Sequence, residues 1–113
     1  MENKAAIQVI TLSGACCQPH LARADQVLAR NMSEAIGQAG VAVEVRQVSL
    51  SNVLAGSAGL TPRQQASIVA LFNRYGVACA PAVLVGDEIK FAGKQPTVEQ
   101  LKDAFLTAAA ADA

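Results

Sequence analysis

Tryptophan is absent and aromatic residues make up only 4% of the chain, which argues against a platform for stacking nucleobases. An excess of either charge is also missing. Nine Lys and Arg balance nine Asp and Glu, so no basic footprint forms and nucleic acid is not an expected partner. Charged residues are sparse at 16%, below the roughly 25% of an average globular chain. Together with 52% apolar residues, this excludes an intrinsically disordered chain. No apolar run reaches the length of about 18 residues that a transmembrane helix needs, so no membrane span is expected. The cysteines number three, an odd count that does not suit a secreted disulfide scaffold. The apolar stretch from Ala5 to Leu12 is short for the core of a signal peptide, and Gln8 and Thr11 interrupt it. It reads as a strand, and the expected location is cytoplasmic, where thiols stay reduced.

What is there amounts to one domain, residues 1–113, with no internal repeat and no boundary. Ile7, Val9, Ile10 and Leu12 form a nearly continuous apolar run, as in a central strand covered on both faces. Beyond Ser13-Gly14 the period changes. Leu21, Ala24, Val27, Leu28, Met32, Ala35, Ile36 and Ala39 make a helical stripe, with Pro19 near its start and Gly40 placed to cap its end. Val41, Val43 and Val45 alternate with polar neighbours as a second strand. Ser49 to Leu60 reads as a loop with one helical turn around Val53.

Thr61-Pro62-Arg63-Gln64 is a capping box, and a helix follows with Ile68, Leu71, Phe72 and Tyr75 expected in the core. Ala82–Val85 and Glu88–Phe91 flank Gly86-Asp87, a two-residue hairpin of type II′. Thr97-Val98-Glu99-Gln100 opens a last helix carrying Leu101, Ala104, Phe105 and Ala108, expected to fray in its alanine-rich end. The expected class is α/β, order β-α-β-α-β-β-α. The first βαβ unit should be parallel and right-handed, and the closing hairpin completes a mixed four-stranded sheet with helices on both faces. This order resembles the thioredoxin-like fold.

Chemistry concentrates in Gly14-Ala15-Cys16-Cys17-Gln18-Pro19-His20, between the first strand and the first helix. A helix N-terminus favours negative charge, and the thiolate is both the nucleophile and the metal ligand. Cys17-Gln18-Pro19-His20 has the spacing of the thioredoxin motif with His in the last place, and His cannot resolve a mixed disulfide. His20 would hold a thiolate as an ion pair or bind a metal, the plainer reading being a solvated residue in the first helical turn. Cys79-Ala80-Pro81 precedes the third strand, where thioredoxin-like proteins carry a cis-proline beside the thiols. That resemblance implies a cis Pro81 and a Cys79 close to Cys16 and Cys17, the plainer reading of Cys79 being a packing residue.

The vicinal pair after a strand, the stretch from Gly76 to Glu88 and the run Gly93-Lys94-Gln95-Pro96-Thr97 resemble the arsenical-resistance metallochaperone family. Those proteins hand As(III) to an efflux ATPase and also act as weak repressors. The resemblance implies a metal(loid) carrier whose partner is an efflux ATPase or another thiol protein. That family places a third cysteine shortly after the pair, and here Ala22 stands about there, so a three-thiolate As(III) site depends on Cys79.

Three readings stay open. The first is a carrier of As(III), Cu(I) or Zn(II), with Cys16, Cys17 and Cys79 as ligands and His20 as a fourth for zinc. Adjacent cysteines are awkward on one zinc, so As(III) and Cu(I) rank ahead of it. The second is a thiol-disulfide oxidoreductase with Cys17 as the catalytic nucleophile. The third is a non-catalytic scaffold.

Overall fold

The computed structural model describes residues 6–14 and 19–112. Four strands, β1 (Ile7–Ser13), β2 (Val43–Ser49), β3 (Ala82–Val85) and β4 (Glu88–Ala92), form one sheet in the order β2-β1-β3-β4. β1 runs parallel to β2 and antiparallel to β3, and β3 runs antiparallel to β4. Four helices accompany them: α1 (Ala22–Ala39), α2 (Leu50–Leu54), α3 (Pro62–Tyr75) and α4 (Val98–Asp112). The class is α/β with a mixed four-stranded sheet. The order is β-α-β-α-α-β-β-α, one helix more than the expected order, because the single turn expected around Val53 is the short helix α2. Ser49 caps it by accepting from the Asn52 N–H, and Leu50 and Val53 are fully buried.

Side chains alternate across a strand, so the inner strands feed two cores. Ile10, Leu12, Ala82 and Leu84 meet Val48, Leu50, Val53 and Ile68 on one face. Ile7, Val9, Val83 and Val85 meet Leu28, Met32 and Ala35 of α1 and Leu101 and Phe105 of α4 on the other. Full burial of a side chain such as Phe105 or Leu101 contributes about 1.5–3 kcal/mol. α1 ends where Gly40 takes a left-handed conformation, φ 68°, and its N–H reaches the Ile36 carbonyl. At the β3–β4 turn Gly86 has φ 64° while no described non-glycine residue has positive φ, the pattern of a type II′ turn.

Two expectations, a core position for Tyr75 and fraying of the last helix, are corrected. Tyr75 lies at the end of α3 and is 55% exposed, because the chain turns away at Gly76. Val45 is 42% exposed, because a groove stays open between α1 and the edge strand β2. The last helix continues to Asp112, its alanines having high helix propensity. Among the described residues no helix is long and apolar enough to cross a membrane.

Candidate thiol site

Sheet register brings three chain segments to one end of the molecule. Leu12 pairs with Ala82 and Ser13 with Ser49. Gly14, which leads out of β1, therefore leaves the sheet beside the segment Cys79-Ala80-Pro81 that leads into β3, and beside the start of α2. Cys16 and Cys17 lie outside the described residues. The chain is described again at Pro19–Leu21, a 3₁₀ turn that runs directly into α1. His20 sits in that turn and is exposed.

Cys79 ends a second 3₁₀ turn, Gly76–Cys79. Its thiol is free and only 1% exposed, packed within the core that holds Leu12, Leu50, Val53 and Ile68. Burial pushes the thiol pKa up, because the thiolate would lose its hydration, and a backbone hydrogen bond opposes the shift in part. The Gly93 N–H donates to both the Cys79 and the Pro81 carbonyls at 3.0 Å, tying this segment to the end of β4. The Ala80–Pro81 bond is cis, and Pro81 is buried.

Among the described residues no three His, Cys, Asp or Glu side chains come together as metal ligands. Cys79 faces a core and His20 faces solvent, so these two are not partners in one described cluster.

One contact escaped sequence reading. Ser13 Oγ donates to Asp25 Oδ2 at 2.5 Å, joining the last residue of β1 to the first turn of α1. The two residues bracket the cysteine segment in sequence. A carboxylate in a first helical turn is favoured by the helix dipole, and that position was the available signal. Asp25 also lines a groove of about 320 Å³, together with Thr11, Leu28, Met32, Ile36 and Val45.

Compared with protein-family models, with curated proteins and with solved structures, the chain matches none of them.

Proposed function

We propose that this protein is a thioredoxin-like thiol protein that binds As(III) or another soft metal(loid) through Cys16 and Cys17 and carries it to an efflux ATPase or another thiol acceptor. The observation that supports this reading most is the register of Leu12 with Ala82. It sets the segment leading toward the cysteine pair and the segment Cys79-Ala80-Pro81 at the same end of the sheet, beyond the C-terminus of β1. The mixed sheet, with β1 parallel to β2 and antiparallel to β3, supports the thioredoxin-like part of this reading.

Soft thiolates favour soft centres. Arsenous acid condenses with two thiols without net proton release. Two As–S bonds form, two As–O bonds break, and each departing hydroxide takes a thiol proton as water. The third As–O bond exchanges in the same way if a third thiol reaches the centre. Cys79 is the only further sulfur of cysteine in the chain, and its buried thiol must leave the core to serve.

Arsenite titration by calorimetry, with thiols counted under excess reductant, tests the reading. Binding should disappear in Cys17→Ser. A loss of comparable size in Cys79→Ala makes the site three-sulfur, and unchanged binding makes it two-sulfur. Insulin reduction measured on the same samples separates the oxidoreductase: turnover that depends on Cys17, without arsenite binding, would overturn the carrier.

A further inference from the structure

The two edges of the sheet are built differently. β4 carries an irregularity between Val83 and Leu84 of its partner strand that leaves Lys90 without a residue opposite, and Lys90 pairs with Glu88 at 2.9 Å. A bulge and a charged side chain are common protections of an edge against pairing with another chain. β2 is seven residues long, paired in unbroken register with β1, and exposed from Glu44 to Gln47.

The direction of its backbone groups follows from one hydrogen bond. The Ile7 N–H donates to the Ala42 carbonyl at 2.9 Å, so Ala42 points toward β1. Alternation then turns Glu44, Arg46 and Val48 toward β1 and turns the N–H and C=O groups of Val43, Val45 and Gln47 toward the open edge.

The charges on this strand are arranged to match themselves. Glu44 and Arg46 lie two residues apart on one face, and neither forms an ion pair among the described residues. Glu44 accepts from Gln8 Nε2 at 3.0 Å, and the Arg46 guanidinium donates to the carbonyls of Ala58 and Gly59, so both charges are held in place without being neutralised.

We infer that β2 is a self-association edge, on which a second copy of this chain pairs antiparallel about a two-fold axis at Val45. In that register Val45 exchanges both backbone hydrogen bonds with Val45 of the second copy, and Val43 does so with Gln47. Glu44 then stands opposite Arg46 of the second copy, twice over, at the non-hydrogen-bonded positions where side chains lie closest. The neighbouring two-fold registers fail on charge. An axis at Glu44 sets Glu44 against Glu44, and an axis at Arg46 sets Arg46 against Arg46. The exposed Val45 also gains an apolar neighbour beside the groove lined by Leu28, Met32 and Ile36. The product is a closed dimer with a continuous eight-stranded sheet.

Sedimentation equilibrium over a wide concentration range, in reductant to remove disulfide-linked species, tests this. The wild-type chain should associate to a dimer. Glu44→Arg and Arg46→Glu should each weaken association at least roughly tenfold by setting like charges opposite one another. An equimolar mixture of the two variants should recover it, because the heterodimer restores both opposite-charge pairs. Val45→Lys should also weaken association, with the fold checked by circular dichroism. If Arg46→Glu unfolds through loss of its contacts with Ala58 and Gly59, Glu44→Arg and Val45→Lys decide the matter. A wild-type chain that stays monomeric, or a dimer indifferent to Glu44→Arg, overturns the inference.

Discussion

Cys79 shows how one side chain is governed by its surroundings. Its thiol is sealed in the core, and burial raises its pKa above the usual 9.0. The folded state therefore keeps this proton at pH values where the unfolded chain has lost it. Stability from this residue is complete below the ordinary thiol value and is lost as pH rises through the folded one. Urea unfolding of wild type and Cys79→Ala, compared from neutral pH to about pH 10, should show the wild-type midpoint falling faster at the alkaline end. Equal slopes would mean that Cys79 carries no shift. Cys79→Ser should cost about 1–3 kcal/mol, since it places a hydroxyl where a weakly polar sulfur was packed.

At the scale of the element, two capping boxes invite comparison. In both, Thr61 with Gln64 and Thr97 with Gln100 exchange side-chain and backbone hydrogen bonds at 2.9–3.1 Å. Gln100 is exposed and its amide serves its own helix. Gln64 is buried, and its Nε2 donates to the Gly86 carbonyl at 2.9 Å, so α3 is fastened to the β3–β4 turn. Gln64→Ala should cost about 2 kcal/mol and Gln100→Ala about 1 kcal/mol or less by chemical denaturation. Equal losses would show that the bond to Gly86 contributes nothing.

The same pair separates what was legible in the sequence from what was not. Both boxes, the Gly40 cap and the hairpin at Gly86-Asp87 were readable, because each is a local pattern of a few residues. The link from Gln64 to a residue 22 positions away was not, since no periodicity marks it. α2 was readable only as one helical turn around Val53, because the Ser, Gly and Ala around it leave no longer apolar period in a helix of five residues. Tyr75 looked like a core residue because the stripe of α3 continues to it, and only the exit of the chain at Gly76 exposes it. Of the candidate site, the sequence pattern identified the sulfurs, whereas the burial of Cys79 depends on α2 and α3 closing over β3.

For the whole molecule, the two cores are separate clusters joined through shared strands. β1 supplies Ile7 and Val9 to one and Ile10 and Leu12 to the other, and β3 is divided in the same way by Val83 and Val85 against Ala82 and Leu84. Neither face can lose its packing without releasing the strands that form the floor of the other. Unfolding should therefore be one transition, as is usual for a domain of this size. The chain's single tyrosine, Tyr75, reports from α3 on one face, while Leu101 of α4 is fully buried on the opposite face. Leu101→Ala should cost about 2–5 kcal/mol through lost burial and the cavity left behind. That loss should shift the Tyr75 fluorescence transition and the far-UV circular dichroism transition to the same new midpoint. A Tyr75 transition that keeps its wild-type midpoint while the dichroism signal moves would mean that the faces unfold independently, and that β1 and β3 do not couple them.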